Sequence, residues 1–173
     1  MTLREARFCP YCGQNLRREP IQGRTVPEAE LLPACADCAY IHSDAPSPIA
    51  GAVIVRDREV LLARAHGSPQ FALVTGIPHP YERIEDAAVR EAAEEVGFDV
   101  RVKHVLGTYS CEPVGQNQVL VACLATIVGG EFRLQQEELA DARWFPLDAL
   151  PDWPPTWPLN AVFDDYRAFA SAK

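Results

Sequence analysis

Hydrophobic and polar positions along the chain predict β-strands before and after one central helix. Residues 49–55 and 60–64 are apolar runs around a polar turn, and this pattern predicts a β-hairpin. Residues 71–74 predict a third, short strand, and the alternation of apolar and charged residues over 100–103 predicts a half-exposed strand. The almost unbroken apolar run at 119–128 predicts a central strand that is buried on both faces.

The C-terminal part of the chain predicts one more strand and a closing helix. Residues 143–146 indicate a strand, residues 147–150 a brief helical turn, and the proline-rich stretch 151–158 a coil. The apolar residues that follow recur at helical spacing: Leu159, Val162, Phe163, Tyr166 and Phe169. Together these elements predict an α/β (α+β) fold, with a mixed sheet covered on both faces.

The central helix is predicted to carry a concentrated negative charge on one face. An apolar stripe at spacings of three and four residues predicts the helix itself: Val89, Ala92, Ala93 and Val96. Glu91, Glu94 and Glu95 have the i, i+3, i+4 spacing that puts them together on the opposite face, and Gly97 stands where the helix is expected to end. Apart from Arg90, no cation lies beside the three glutamates.

A divalent cation is the expected partner of this acidic face. Like charges at these spacings each destabilise an isolated helix by about a few tenths of a kcal/mol. Hard oxygen ligands in this number suit Mg²⁺ or Mn²⁺, which keep positions open for water and phosphate oxygens. The alternative is an acidic helix face that is simply solvated, as most glutamate-rich helix surfaces are.

The residues before the helix extend this pattern into a motif that spans residues 76–98. Gly76 is followed after five residues by Glu82, and after seven more by Arg-Glu-apolar-any-Glu-Glu-any-Gly-apolar at residues 90–98. This order matches the fixed positions of the Nudix box, so the chain resembles the Nudix hydrolases. The resemblance implies an α/β/α sandwich and a metal-dependent hydrolase of diphosphate linkages, in which water attacks phosphorus.

The resemblance also implies roles for the residues of the box. The implied ligands of Mg²⁺ or Mn²⁺ are Gly76 through its carbonyl, Glu82, Glu91, Glu94 and Glu95. Of these, Glu91 is either a third carboxylate ligand or the base that takes the proton of water, and Glu82 is either an outer partner or a ligand of an additional metal. Arg90 is expected to pair with a box glutamate and orient it, with an ordinary surface pair to Glu94 as the alternative.

One further catalytic carboxylate is expected outside the box. In the family it often comes from the loop ahead of the strand that carries a Trp-Phe pair, here Trp144 and Phe145. Among the acids of this loop Glu138 is the chosen position, and the alternative is a solvated acidic loop. The implied catalytic set is thus Arg90, Glu91, Glu94, Glu95 and Glu138.

Three positions of the box loop depart from the usual family pattern. Thr75 replaces a second glycine, Tyr81 replaces the glycine that often precedes the box glutamate, and His79 stands where an acid is common. His79 is expected to be an ordinary loop histidine, with contact to a softer metal or to substrate as the alternative. These changes leave the carboxylates intact and affect the expected placement of substrate more than the reaction.

Four of the six cysteines form two C-x-x-C pairs near the N-terminus. Cys9 with Cys12 and Cys35 with Cys38 are separated by 22 residues and can complete a tetrahedral S₄ site for structural zinc. Disulfides are the alternative, which a cytosolic compartment disfavours. The F-C-P-x-C-G start, the second pair and the Pro-containing linker resemble the zinc-ribbon branch of the family, which includes NADH and FAD pyrophosphatases. We therefore predict a zinc ribbon at 1–45, a Nudix domain at 46–173 and, from the same resemblance, a homodimer.

Composition and charge narrow the classes of partner. The chain has 173 residues, of which 48% are hydrophobic, enough for one substantial core and a small appended unit. Its formal net charge of −8 disfavours a nucleic-acid partner, because Lys and Arg dominate binding to the phosphate backbone. The sequence contains no apolar run of about 18 residues and no leader pattern, so we expect a cytoplasmic protein that does not span a membrane.

The region after the box bears on the choice of substrate. The NADH pyrophosphatase group carries a Ser-Gln-Pro-Trp-Pro-Phe-Pro-like signature there, and residues 108–118 lack it. We therefore expect a nucleoside diphosphate derivative of the FAD or ADP-ribose type ahead of NADH, NAD-capped RNA and nucleoside triphosphates. A nucleotide-binding regulator with the same fold is the alternative to an enzyme. Four aromatic residues are candidates for stacking on a base or flavin, although core packing is the commoner role: Phe71, Tyr109, Trp153 and Trp157.

The other histidines and cysteines give no sign of nucleophilic catalysis. His42, His66 and His104 fall in a linker, a loop and a strand, and no Ser/His/Asp order accompanies them. Cys123 is expected to be a small core residue, and Cys111 lies near the predicted substrate loop.

Overall fold

The N-terminal unit contains two tight turns, each of which spans a cysteine pair. In the computed structural model, which describes residues 6–18, 32–42, 45–111, 117–155 and 157–172, the chain divides into the units Met1–Ala45 and Pro46–Lys173. In the first unit β1 (Arg17–Arg18) pairs antiparallel with β2 (Pro33–Ala34). The predicted finger between the cysteine pairs lies mainly outside the described residues.

The second unit contains one mixed sheet and two helices. Its elements follow in the order β3 (Ser47–Arg56), β4 (Glu59–Ala65), β5 (Val74–Gly76), α1 (Ile84–Val96), β6 (Phe98–Cys111), β7 (Gln118–Gly130), β8 (Leu139–Pro146) and α2 (Leu159–Ser171). The strand order is β6-β7-β3-β4-β8, and β5 pairs with β3. Only β3 and β7 run parallel among these ladders, so the prediction of a mixed sheet is confirmed.

The central strand β3 has different partners along its two edges. One edge pairs with β7 from Ser47 to Ile54. The other edge pairs with β5 at residues 50–52 and with β4 only at Val55 and Arg56. This arrangement brings the end of β5, at Gly76, beside the middle of β3, from where the chain runs directly into the loop before α1.

The two helices cover opposite faces of the sheet, as predicted. Alternate residues of β3 point to the two faces because side chains alternate along a strand. Ala52 and Ile54 belong to the core that α1 covers, and Val53 belongs to the core that α2 covers. The helix residues buried in these cores are Ala87, Ala88, Ala92 and Val96 of α1 and Leu159, Val162 and Phe163 of α2. No helix among the described residues is long and apolar enough to cross a membrane.

Two strands are longer than the sequence pattern predicts. β6 covers Phe98–Cys111 instead of residues 100–103, and its register against β7 shifts at three places. Each shift interrupts the alternation of apolar and polar residues, which explains why the pattern reveals only part of the strand. β8 begins at Leu139, ahead of the predicted 143–146.

Two short predictions are wrong in detail. Of the predicted strand 71–74 only Val74 belongs to β5, while Ala72 forms an isolated bridge with Ala63. Residues 147–150 form a turn, in which the Ala149 N–H donates to the Pro146 carbonyl at 2.9 Å, and not a turn of helix. One turn is too short to offset the cost of helix nucleation without further contacts.

Candidate active site

The end of α1 is fixed by a glycine, as predicted. Gly97 has φ of 77°, and its N–H donates to the Ala93 carbonyl at 3.2 Å. A Cβ at this position would lie 2.4 Å from the Glu131 carbonyl oxygen, so no other residue fits without a backbone shift. The helix therefore ends directly after Glu94, Glu95 and Val96.

Arg90 is the centre of an ion-pair network on the polar face of α1. Its guanidinium donates to both carboxylate oxygens of Glu82, at 2.9 and 3.0 Å. It also donates to Glu91 at 2.6 Å, to Glu94 at 3.1 Å and to the Ile77 carbonyl at 3.2 Å. The arginine thus makes the expected contact with a box glutamate and also the i,i+4 contact with Glu94 that was its alternative role.

Glu82 ties the loop before α1 to this arginine. Besides its two bonds from Arg90, it accepts the backbone N–H of His79 at 2.7 Å. Hydrogen bonds from the Arg90 side chain and then from the His79 backbone lower the pKa of Glu82 to about 2. Glu82 is therefore a carboxylate at all physiological pH values. His79 itself is an exposed residue.

Glu95 is a buried carboxyl group that faces other acids. Its exposed fraction is 7%. Burial raises its pKa to about 8, the charges of Glu91, Glu138 and Glu94 raise it as well, and a hydrogen bond from the Thr75 backbone acts in the opposite direction. In the metal-free protein Glu95 therefore binds a proton near neutral pH.

Gly76 is required for the position of Glu91. A Cβ built on Gly76 would lie 1.8 Å from Oε1 of Glu91 and 1.9 Å from its Cδ. The carboxylate of Glu91 thus packs directly against the backbone at the end of β5. This contact gives the box glycine a steric reason that is separate from its predicted role as a carbonyl ligand.

The loop before β8 brings Glu138 to the C-terminal end of α1. The Gln135 N–H donates to the Glu95 carbonyl at 2.9 Å, and the Arg133 N–H donates to the Val96 carbonyl at 3.0 Å. Glu138 lies close enough for its charge to raise the pKa of Glu95. The structure therefore brings together Glu91, Glu95 and Glu138, whose order in the sequence separates them by up to 47 residues.

The loop of the box keeps a glycine-like backbone at Tyr81. This residue has φ of 67° although it carries a large side chain, and that side chain is fully exposed. A left-handed conformation costs an L-residue about 1–2 kcal/mol. Tyr81 thus replaces the family's usual glycine in a backbone conformation that favours glycine.

The donor set at the end of α1 fits a divalent cation. It offers carboxylate oxygens, which Mg²⁺ and Mn²⁺ prefer, and its buried member Glu95 lies among three like charges. A cation is the partner that would keep Glu95 ionised. Glu91 and Glu94 contact Arg90. Among the described residues, the four cysteines are the only group of three or more His, Cys, Asp or Glu whose ligand atoms all lie within 4.8 Å of one another.

The four cysteines of the N-terminal unit form a second potential metal centre. The sulfur atoms of Cys9 and Cys38 are 3.4 Å apart, those of Cys12 and Cys35 are 3.5 Å apart, and those of Cys12 and Cys38 are 3.8 Å apart. All four thiols are free, so the disulfide alternative does not hold in this structure. Zn–S bonds of about 2.3 Å in a tetrahedron place sulfur atoms about 3.8 Å apart, so the cluster fits zinc.

The turns that span the two cysteine pairs have the same geometry. The Gly13 N–H donates to the Cys9 carbonyl at 2.9 Å, and the Ala39 N–H donates to the Cys35 carbonyl at 3.1 Å. Both residues have a positive φ, 73° for Gly13 and 59° for Ala39. The alanine is thus a departure in residue type only, since its backbone adopts the conformation of the glycine.

Comparison with protein families identifies the larger unit. Residues 46–166 match the model described as NUDIX domain, which is more than half of the chain. The chain belongs to the NUDIX family. Its Nudix box is the segment from Gly76 to Phe98 that carries the network around Arg90.

Curated relatives match most of this Nudix protein but are longer. The chain is 33% identical over 150 residues to the NAD-capped RNA hydrolase NudC of Chromobacterium violaceum, an alignment that covers 86% of this chain and 53% of the relative. It is 34% identical over 156 residues to NudC of Pseudomonas putida, with 87% and 52% covered. The chain thus spans about half the length of the curated relatives it matches.

Solved structures show the same fold. A Nudix hydrolase from Nitrosomonas europaea superimposes with a TM-score of 0.67 at 22% identity and covers 97% of this chain and 92% of its own. A UDP-X diphosphatase gives a TM-score of 0.63 at 22% identity, with 72% and 64% covered. The predicted Nudix architecture is confirmed by these likenesses.

The aromatic residues that were candidates for stacking on substrate pack in the core beneath α2. Trp153 stacks on Phe163 with 5.6 Å between ring centroids and donates its indole N–H to the Phe71 carbonyl at 2.6 Å. The Tyr109 hydroxyl donates to Asp165 at 2.6 Å. Phe71 and Trp157 pack against the same core. Core packing, the commoner role, therefore describes all four.

The contacts of His66 have no signal in the sequence. This exposed residue contacts the loop that carries Glu138, and the partner atom lies 70 residues further along the chain. No local motif signals such a contact, because it depends on how β4 and β8 pair.

Cys123 is buried as expected, and Cys111 is partly buried at the end of β6.

Proposed function

We propose that the chain is a divalent-metal-dependent hydrolase of the diphosphate linkage in a nucleoside diphosphate derivative. The observation that carries this proposal is the buried carboxyl group of Glu95, which lies among the charges of Glu91, Glu94 and Glu138. Such a cluster is costly without a cation and useful with one. A solvated acidic face, the alternative, does not explain why Glu95 is only 7% exposed.

The residues of the cluster would divide the chemistry among them. A bound Mg²⁺ or Mn²⁺ would lower the pKa of water and neutralise charge on the phosphate oxygens. Glu94 and Glu95 would hold the cation, with Glu82 and the Gly76 carbonyl as further predicted ligands. Glu91 or Glu138 would accept the proton from the attacking water, whose oxygen bonds to phosphorus as the bridging P–O bond breaks. Two phosphorylated products would leave.

Arg90 would act through the glutamates and not on the substrate. It orients Glu91 and Glu94 through bonds of 2.6 and 3.1 Å, and it fixes the box loop through Glu82. Its role in this proposal is to orient the carboxylates of Glu91 and Glu94. A planar guanidinium suits this role because its several N–H donors have fixed directions.

The substrate type has two candidates. The absence of the Ser-Gln-Pro-Trp-Pro-Phe-Pro-like signature supports an FAD or ADP-ribose type of substrate, as predicted. The NudC relatives at 33–34% identity support NAD-capped RNA, which contains the same type of diphosphate linkage and would make nucleic acid a partner. We keep the FAD or ADP-ribose type as the first candidate, because the departure lies in this chain's own sequence. A nucleoside triphosphate pyrophosphohydrolase and a nucleotide-binding regulator remain the alternatives.

A hydrolysis screen tests the reaction. The protein would be incubated with Mg²⁺ or Mn²⁺ and FAD, ADP-ribose, NADH, NAD-capped RNA, dinucleoside polyphosphates or nucleoside triphosphates, with Glu95→Gln as the blank. We expect turnover of one class, its loss in the variant, and ¹⁸O from labelled water in a phosphorylated product. Binding of a nucleotide without turnover of any compound would instead support the regulator.

We further propose that the four cysteines hold a structural zinc ion, that residues 1–45 form a zinc ribbon and that residues 46–173 form the catalytic domain. The free thiols and the tetrahedral spacing of their sulfur atoms support this assignment. The cytoplasmic location and the homodimer stay predictions, for which compartment fractionation and light scattering are the direct measurements.

A further inference from the structure

His66 contacts the loop that carries Glu138 through both its side chain and its backbone. Its Nε2 lies 2.8 Å from the Gln136 carbonyl oxygen, and its backbone N–H donates to the Glu138 carbonyl at 3.1 Å. Because a carbonyl oxygen only accepts hydrogen bonds, the imidazole nitrogen in this contact is the donor. Two bonds from one residue thus hold two residues of the loop.

The other end of this loop is fixed to α1. The Gln135 N–H donates to the Glu95 carbonyl at 2.9 Å, and the Gln135 carbonyl in turn accepts the N–H of Leu139 at 3.0 Å. The loop is therefore a short bridge, attached to the catalytic helix at Glu95 and to His66 at the end of β4. Glu138 lies inside the bridge, so both attachments determine its distance from Glu95.

The strand that carries His66 is irregular at the same place. The pairing of β4 with β8 shifts in register between Arg64 and Ala65, directly before His66. A β-bulge redirects the chain that follows it, and bulges are common next to active sites. The shift pairs Ala65 with Leu139, the residue after Glu138, which brings His66 alongside the loop.

We propose that His66 is a positioning residue that holds Glu138 beside Glu95, so that both carboxylates act on one divalent cation. The proposal rests on the function proposed above, since it assumes that the cluster binds a metal. The hydrogen bonds of His66 go to the backbone carbonyls of Gln136 and Glu138, so it would act through the backbone of the loop. Residues that orient metal ligands in this way commonly change metal affinity about 10–100-fold when they are replaced.

Mn²⁺ binding by titration calorimetry tests the proposal without turnover. In His66→Gln the amide nitrogen can stand near the place of Nε2 and donate to Gln136, whereas in His66→Asn the donor is one bond too short. Both changes are polar, and the site is exposed. We expect Asn to weaken Mn²⁺ binding about tenfold and Gln to restore most of it. His104→Asn, which removes an imidazole that stacks on Phe169, is the control and should leave the affinity unchanged.

A double-mutant cycle separates positioning from a general loss of structure. In a Glu138→Gln background His66→Asn should have no further effect on Mn²⁺ affinity, because the group that His66 positions is already neutral. An equal loss in both backgrounds would overturn the proposal, as would full affinity in His66→Asn. A wild-type protein that binds Mn²⁺ but hydrolyses no substrate would contradict the proposed function and leave this inference standing. A wild-type protein that binds no Mn²⁺ would overturn both.

Discussion

At the scale of single residues, the residues other than glycine that have a positive φ in the described part of the chain are Ala39, Asp57, Arg58 and Tyr81. Two of them lie beside candidate sites: Tyr81 before α1 has φ of 67°, and Ala39 after the second cysteine pair has φ of 59°. The first lies in the box loop, one residue before Glu82, and its exposed ring makes no contribution to the core. Conformational strain at such positions lowers stability, and a function can be the reason why it is retained.

Tyr81→Gly is therefore expected to stabilise the protein. Glycine removes about 1–2 kcal/mol of left-handed strain from the folded state, but its greater freedom in the unfolded chain offsets part of this. We expect the free energy of unfolding to rise by about 0.5–1 kcal/mol. Urea denaturation measures the change. Tyr81→Ala is the matched control, since it removes the ring and keeps the strain. If both variants shift the free energy of unfolding equally, the ring and not the backbone is responsible.

Glu95 should make the stability of the metal-free protein depend on pH. Its pKa is raised to about 8 in the folded state, so its favourable contribution is present below about pH 4.5 and is lost as the pH rises through 8. We expect the melting temperature of the wild type, relative to Glu95→Gln, to fall over this range in buffer without Mg²⁺ or Mn²⁺. Addition of Mg²⁺ at pH 8.5 should restore it in the wild type only. If the melting temperatures of the two proteins change with pH in the same way, ionisation of Glu95 is not responsible for the pH dependence.

At the scale of elements, α2 is attached mainly through its first half. Leu159, Val162 and Phe163 are buried, and Phe163 stacks on Trp153 at a ring distance of 5.6 Å. Further along, Phe169 stacks on the exposed His104 at 4.5 Å. The helix thus has fully buried residues near its start, whereas Phe169 near its end is partly exposed although it packs against the same core.

Substitutions in α2 should reflect this asymmetry. Phe163→Ala removes a side chain that is 1% exposed and is expected to lower the free energy of unfolding by about 3–5 kcal/mol. Phe169→Ala removes a partly exposed ring and is expected to cost about 1 kcal/mol. Urea denaturation of the two variants compares them directly, and equal losses would show that α2 is held along its whole length.

Elements with local signals were predictable, and those that depend on distant pairing were not. Helix α1 was predicted from its apolar stripe and from Gly97, and its carboxylates from their spacing. The length of β6 was not, because its three register shifts are set by contacts with β7. The burial of Glu95 and the contact from His66 to Gln136 could not be predicted either, since both depend on the loop that returns from β7 to β8.

At the scale of the whole molecule, the chain combines two units with different sources of stability. The larger unit has a core on each face of its sheet. In the N-terminal unit the buried residues among those described are Cys9, Pro33 and Cys35, too few for a core, so we expect metal binding to supply its folding free energy.

Loss of zinc should therefore destabilise the protein. Cys9→Ser is expected to reduce the zinc content from about one ion per chain to none and to lower the melting temperature. Atomic absorption and thermal denaturation measure the two effects. Cys111→Ser, outside the cluster, is the control and should retain zinc. A metal-free Cys9→Ser protein with an unchanged melting temperature would show that the cysteines do not support the fold.

The contacts of Arg90 also mean that a cation would share its ligands with a side chain. The guanidinium contacts Glu82, Glu91 and Glu94, and its single positive charge offsets only part of their combined charge. A divalent ion that binds Glu91 or Glu94 would therefore share these carboxylates with Arg90, and its apparent affinity would depend on how far it weakens their pairing with the arginine. The same arginine reduces the repulsion within the acidic face when no divalent ion is bound.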